Sequence, residues 1–154
     1  MTPVTLRRAG PNDTDYLIAA TERLADFPVP SWRTASQIAQ ADRRILLEAV
    51  ARPGDRTLVL IADQAGTPVG CLFATTTNDY FDGAPVAHVE VVVVSREAQG
   101  LGVGRILLDG AEQWARARGY SRITLNAFSA NLHARAVYEH LGYAPEIVTY
   151  LKVL

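Results

Sequence analysis

The spacing of apolar and polar positions changes along the chain, and each spacing predicts an element. Val4 to Ala9 alternate as a short strand, which Gly10-Pro11 breaks before Asn12 or Asp13 caps a helix. Leu17, Ile18 and Leu24 give that helix a partial apolar face, and the two prolines Pro28 and Pro30 end it. Ile38, Ala41, Ile45, Leu46, Ala49 and Val50 recur at helical spacing until Pro53-Gly54. Two strand-like runs follow, TLVLIAD and PVGCLFATT, joined as a hairpin through QAGT. The polar loop NDYFDGAP leads into AHVEVVVV, whose consecutive valines predict a strand buried on both faces.

Helical spacing returns with Leu107, Leu108, Ala111, Trp114 and Ala115, and Gly119 stops it. RITLNAF predicts another strand. Leu132, Ala136, Val137, His140 and Leu141 predict a last helix closed by Gly142, and EIVTYLKVL a final strand. The order β-α-α-β-β-β-α-β-α-β is that of a mixed α/β domain, with antiparallel hairpins early and crossover units late. With no repeat, linker or low-complexity tract, the expectation is one domain over residues 1–154.

Composition narrows the function classes. Apolar residues make up 49% of the chain, charged residues 20%, and the formal net charge is -1. A large core is available, and no broad basic face for nucleic acid is expected. Cys71 is the sole cysteine, so an internal disulfide and a thiolate-rich zinc site are both excluded. It lies in an apolar strand and reads as packing. No apolar run is long enough to span a bilayer, and the N-terminal residues lack a leader's apolar core. A soluble cytoplasmic protein with no nucleic-acid or membrane partner is the expectation.

The chemistry starts at QGLGVGR, between a strand and a helix. Backbone N–H groups at a helix N-terminus lack intrahelical partners and favour anions. A Walker loop would need a Gly-Lys pair, which the chain lacks. A dinucleotide fingerprint would place its third glycine one residue beyond Gly104, where Arg105 stands, and an acid at the end of the next strand, where Asn126 and Phe128 stand. A ligand-free turn would spend three glycines in five residues with no packing benefit.

The remaining pattern, Gln99, Gly102 and Gly104 as Q-x-x-G-x-G, resembles the acetyl-CoA pyrophosphate loop of the GNAT family of N-acetyltransferases. Downstream, NLHARAVYEHLGY resembles that family's second signature, N-x-x-A-x-x-x-Y-x-x-x-G-[FY], matched by Asn131, Ala134, Tyr138, Gly142 and Tyr143. The closing YLKVL is similar to its last strand. The motif-bearing part runs from Ala87 to Leu154, and the first sixty residues resemble the family in architecture only.

The resemblance implies a mostly antiparallel twisted sheet flanked by helices, with a splayed central strand pair. It implies acetyl-CoA as co-substrate and no metal. Gln99, Gly100, Leu101, Gly102, Val103, Gly104 and Arg105 would hold the diphosphate. Val92, Val93 and Val94 would pair with the pantetheine arm through their backbone, and Asn131 and Tyr138 would contact it. Tyr138 would protonate the leaving thiolate. Glu90 is a lone acid in an apolar run, costly there unless it has a partner or a task. It is the candidate general base or amine anchor; an ion pair or a solvent-facing position is the other reading. His88, two residues earlier, suits a water relay to it. His133 and His140 are seven apart, without a metal-binding cluster.

For the acceptor, the resemblance points to the first two helices and the NDYFDGAP loop, hence to Phe27, Trp32 and Tyr80 beside Glu90. The implied reaction is direct attack of a small-molecule or peptide amine within a ternary complex. Cys71 has no adjacent base for a covalent route. Another acyl-CoA, a hydroxyl acceptor or a non-catalytic CoA sensor are the alternatives. A homodimer built on the C-terminal strand is consistent with the resemblance.

Overall fold

The structure is a computed structural model and describes residues 2–154. The elements are β1 (Val4–Arg8), α1 (Thr14–Thr21), α2 (Ala35–Ala51), β2 (Thr57–Gln64), β3 (Thr67–Asn78), β4 (Pro85–Val94), α3 (Val103–Ala117), β5 (Ile123–Leu125) and α4 (Leu132–His140). The five strands form one open sheet in sequence order. Neighbours from β1 to β4 are antiparallel, and only β4 and β5 are parallel. The expected mixed, mostly antiparallel sheet flanked by helices is therefore present.

Local chemistry sets the boundaries. The β2–β3 hairpin turns on Ala65 and Gly66, at φ 54 and 81, the positive pair that a two-residue hairpin needs to match strand twist. Thr34 starts α2 with a reciprocal cap: its hydroxyl accepts from the Gln37 N–H at 3.1 Å, and its own N–H donates to the Gln37 side chain at 2.9 Å. Among the described residues, no helix is long and apolar enough to cross a membrane.

The sheet carries an apolar layer on each face. Leu58, Leu60, Ala62, Leu72, Ala74, Ala87 and Val89 face α3 through Val103, Leu107, Leu108, Ala111 and Trp114. Val59, Ile61, Cys71, Phe73, Val91 and Val93 face Leu17 and Ala20 of α1 and Leu46 and Ala49 of α2. Strand alternation is visible in β2 and β3, whose odd and even positions sort to opposite layers.

In β4 the sorting changes partway. Ala87 and Val89 belong to the α3 layer, yet Val91 and Val93 belong to the α1–α2 layer. The cause is a register shift against β3, in which Phe73 faces Val91 and Ala74 faces Val89. Glu90 is the extra residue of that β-bulge. A bulge bends its strand and re-aims side chains. The parallel pairing with β5 covers only Ala87 to Val89 against Ile123 to Leu125. β4 and β5 therefore separate just where the bulge begins, and the central pair is splayed.

Three expectations are corrected. EIVTYLKVL is not a strand: residues 144–154 have no regular structure and are exposed throughout. Its apolar residues have strand propensity, but strand form requires a hydrogen-bonded neighbour, and none is beside it. RITLNAF shortens to Ile123–Leu125, because β4 has turned away beyond Val89. The inner face of α4 carries Ala134, Val137, Tyr138 and Leu141, whereas Leu132, Ala136 and His140 are exposed.

At the opposite edge, Asp13 is buried and accepts two hydrogen bonds from Arg7, at 2.9 and 2.8 Å, and one from the Gly10 N–H at 2.8 Å. The Arg7 guanidinium holds the Asp13 carboxyl below its ordinary range. The pair's contribution is complete above the ordinary aspartate pKa and is lost as pH falls through the depressed one. Asp13→Ala should lower stability by about 1–2 kcal/mol at neutral pH, since Arg7 is partly solvated. Denaturant titrations at neutral and acidic pH check this, and the gap to wild type should narrow in acid.

Candidate active site

The fork between β4 and β5 opens into a cavity of about 830 Å³. Its floor is β4, from His88 to Val94, and one wall is the end of β5, from Leu125 to Phe128. Gln99 and Gly104 close one end, and Asn131, Ala134, Val137 and Tyr138 of α4 line a side. Arg23, Asp26, Arg33, Ile38 and Asp42, from α2 and the segment before it, form the opposite wall.

The glycine turn presents free backbone donors on an open surface. Gly102 caps α3 in the left-handed region, at φ 78, where a Cβ would be strained. An added Cβ at Gly100 or Gly102 would meet nothing within 4 Å, so the turn's outer surface is open. The first backbone donor of α3 with a helical partner is the Ile106 N–H, to the Gly102 carbonyl at 3.1 Å. Among the described residues, the N–H groups of Val103, Gly104 and Arg105 have none. Free donors at the positive end of a helix of 15 residues suit a diphosphate. Val103 is buried and offers its backbone only, and Leu101 is half-exposed. The Arg105 side chain is exposed and 3.9 Å from Asp109.

Two contacts tie the approach to this turn to other elements, α1 and the far wall. The Ser95 and Tyr16 hydroxyls are 2.9 Å apart, and Arg96 reaches Asp26 at 3.1 Å. Asp26 also accepts from Arg23 at 3.3 Å.

Glu90 stands on the bulge with a third of its side chain exposed. One carboxylate oxygen accepts from the Thr75 hydroxyl at 3.2 Å, and the other is 3.9 Å from His88 Nε2. His88 Nδ1 is 2.7 Å from the Thr124 hydroxyl, so a residue of β5 orients the ring. A carboxylate, an imidazole and a hydroxyl thus form a chain from the cavity floor to β5.

Asp42 was not singled out from the sequence. It lines the cavity from α2, and its carboxyl is pushed up, first by burial and then by the charge of Glu90. The signal was present: Asp42 lies four residues after Ile38 and four before Leu46, an acid in a buried apolar column. Sequence reading also passed over Arg23 in the same wall. One Arg23 guanidinium nitrogen, Nη1, is buried without a partner.

Tyr138 lines the other side, packed against the α3 layer. Burial alone pushes its hydroxyl pKa up, with no hydrogen-bond contribution. The hydroxyl is therefore protonated at neutral pH. Asn131 caps α4 by accepting from the Ala134 N–H at 3.2 Å, and it lines the same cavity. Tyr143 closes the motif; its hydroxyl donates to Glu112 at 3.2 Å, anchoring α4 to α3.

The expected acceptor aromatics are not gathered here. Tyr80 is 92% exposed, and its loop is held by Arg122, at 3.2 Å from Asp79 and 2.7 Å from Asp82. Trp32 is half-exposed and does not line the cavity. Phe27 reaches only the rim, stacked on Phe128 with ring centroids 4.9 Å apart. Aromatic residues in turns carry no directional signal, and these pack on neighbours or face solvent.

A helix-flanked sheet with forked central strands and a glycine turn at the fork defines a GNAT-type acetyltransferase fold. A model of the acetyltransferase (GNAT) family matches residues 18–143, and the chain belongs to that family. A putative acetyl transferase from Pyrococcus furiosus superposes with a TM-score of 0.77 at 23% identity, over 99% of this chain and 100% of that one. The aminoglycoside enzyme AAC(6')-Iy, solved with a CoA-linked bisubstrate analogue, gives a TM-score of 0.71 at 19% identity, over 99% and 100%. A mycothiol acetyltransferase of Beutenbergia cavernae is 43% identical over 65 residues, which are 42% of this chain and 22% of that protein. The matches to mycothiol acetyltransferases span between 21% and 46% of the length of those proteins.

Cys71 is fully buried, and burial pushes its thiol up to about 12. The folded protein should therefore resist thiol-directed reagents at mildly alkaline pH and react only on unfolding. A colorimetric thiol titration with and without denaturant checks this.

Proposed function

We propose that the protein transfers the acetyl group of acetyl-CoA to a primary amine of a small molecule or peptide, by direct attack with both substrates bound. One observation carries the reading: free N–H donors, a splayed strand pair, a carboxylate and a protonated tyrosine all converge on one cavity. The residues present fit the donor. The N–H groups of Val103, Gly104 and Arg105, with the Gln99 side chain, would hold the diphosphate. The edge of β4 at Val92, Val93 and Val94 has lost its β5 partner and is free to pair with the amides of the pantetheine arm. Gly100, Leu101 and Gly102 shape the turn, and Asn131 presents its side chain beside the arm.

Acetyl transfer needs a neutral amine, a stabilised carbonyl oxygen and a protonated leaving sulfur. Glu90 takes the amine proton, directly or through water, with His88 and Thr124 to pass it on. A backbone N–H near Val92 donates to the carbonyl oxygen as negative charge develops there. The new bond is nitrogen to carbonyl carbon, and the broken bond is carbon to sulfur. Tyr138 gives the sulfur its proton and is reloaded from solvent. Asp42 on the wall and Glu90 on the floor face one another across the cavity, and together they form a local acidic spot that favours an acceptor arriving as an ammonium ion. Two similar proteins support an amine acceptor, the aminoglycoside N-acetyltransferase and a mouse N-alpha-acetyltransferase 46% identical over 55 residues.

A panel of amines assayed by release of free CoA tests the reading; amine-dependent release supports it, and release by no amine sinks it. Glu90→Gln should slow turnover by about 10²-fold or more at neutral pH. An unaltered pH–rate profile would remove Glu90 from the base role. Tyr138→Phe should lower turnover by about tenfold to a hundredfold while acetyl-CoA affinity, read by calorimetry, stays within about twofold. Asp42→Asn should raise KM for the amine by about tenfold and leave kcat nearly unchanged.

A further inference from the structure

The charges lining the cavity are sorted into two poles. Glu90 on β4 and Asp42 on α2 form the acidic one. The other is basic and lies toward the start of α2, where Arg23 and Arg33 line the same cavity. Arg23 donates through Nε to Asp26 at 3.3 Å, and Asp26 also accepts from Arg96 at 3.1 Å. One carboxylate thus serves two guanidinium groups. Arg23 Nη1 is buried without a partner, and a buried charged donor left unpaired is costly. Arg33 is exposed, and among the described residues its side chain makes no hydrogen bond and no ion pair. The basic pole therefore carries positive charge that the protein does not itself neutralise, beside donors that lack an acceptor.

The separation of the poles limits what bridges them. Arg33 directly precedes the Thr34 cap of α2. About 12 Å of helix axis lies between that cap and Asp42. A free amino acid has its amine and carboxylate on one carbon and reaches only one pole. An extended peptide covers about 3.4 Å per residue. The length of the arginine side chain shortens the gap, which leaves about two or three peptide residues to fill it. A guanidinium fork matches a planar carboxylate, which accepts two parallel hydrogen bonds from it. A second cation on the acceptor would meet like charge at the arginines, so a polyamine is disfavoured.

We propose that the acceptor is a short peptide, or a peptide-like amine, that carries a carboxylate about two or three residues from its reacting nitrogen, with Arg33 binding that carboxylate and Arg23 beside it. The inference rests on the N-acetyltransferase reading and narrows its acceptor. The ammonium end lies at Glu90 and Asp42, where its proton is lost. The carboxylate end lies at Arg33, over the unneutralised charge of Arg23. Neither arginine touches the acetyl carbon: they select which amine is held in line with the thioester.

Tripeptides with a free amino end, each made as the C-terminal acid and as the C-terminal amide, are compared by release of free CoA. In the wild-type protein kcat/KM should favour the acids by about tenfold or more. Arg33→Gln should shrink that ratio to about twofold or less, and Arg33→Glu should reverse it. Arg23→Gln should lower it by about threefold. Arg33 is exposed, so its variants should keep the wild-type far-ultraviolet circular dichroism spectrum. Equal rates for acid and amide in the wild-type protein overturn the proposal and leave acetyl transfer to amines standing. An unchanged ratio in either glutamine variant overturns the assignment of that arginine. A loss of acetyl-CoA affinity in Arg33→Gln, read by calorimetry, with the ratio unchanged puts the arginine on the donor's phosphates and overturns the proposal. Release with other amines and with none of the tripeptides overturns the proposal alone; release with no amine at all sinks the acetyl-transfer reading and the proposal together.

Discussion

One extra residue in β4 controls the rest of the site. Up to Val89 the strand lies in register with β3 on one side and β5 on the other. The bulge at Glu90 turns it, and β5 does not follow. Everything the cavity needs comes from that divergence: a strand edge with unpaired backbone groups, room between two strands, and a carboxylate at the vertex. An unbulged β4 would hold hydrogen bonds with β5 further along and leave no space there. It would also send Val91 and Val93 to the α3 layer, reversing the packing of both faces.

The bulge is tolerable because the surroundings hold it firmly. Below it, Val91 and Val93 lock into the layer of Leu17, Leu46 and Phe73. Above it, Leu107, Leu108 and Trp114 of α3 pin the other side. Close contact at Gly70, where a Cβ would approach the Leu107 and Val103 side chains of α3 and the Val93 carbonyl of β4 to 3.0 Å each, seats α3 against β3 and β4. The glycine turn thus hangs from a rigid helix and a rigid strand, while the opposite wall is built from α2 and the segment between Glu22 and Thr34, regular only in its first 3-10 turn. The rigid side is where the donor would bind, and the less regular chain lies opposite.

What was legible in the sequence follows the same division. The hairpins, the two layers and the helix under the glycine turn were legible because each rests on local periodicity or turn chemistry. Glu90 stood out as an acid among valines, and Asn131 and Tyr138 by spacing. The bulge was not legible, because register is a property of two strands and only one carries the signal. Asp42 was missed inside a column that read as plain packing, between Ile38 and Leu46. The last strand was over-read: Ile147 to Leu154 have the composition of a strand, but periodicity reports what a segment favours and not whether a neighbour is there to pair with it. Tyr80 and Trp32 were chosen for their residue type in loops, a signal with no direction in it.

The Ser95–Tyr16 and Arg96–Asp26 contacts hold the chain before the glycine turn to its neighbours. Ser95 and Arg96 lead directly into the glycine turn, Tyr16 belongs to α1, and Asp26 belongs to the wall opposite. A ligand that stiffens one wall lowers the remaining freedom of the other, and thermodynamic linkage makes the effect equal in both directions. Two side-chain bridges thus join the approach to the glycine turn with the chain facing it, and any coupling they carry between the two sides is the same whichever is occupied first.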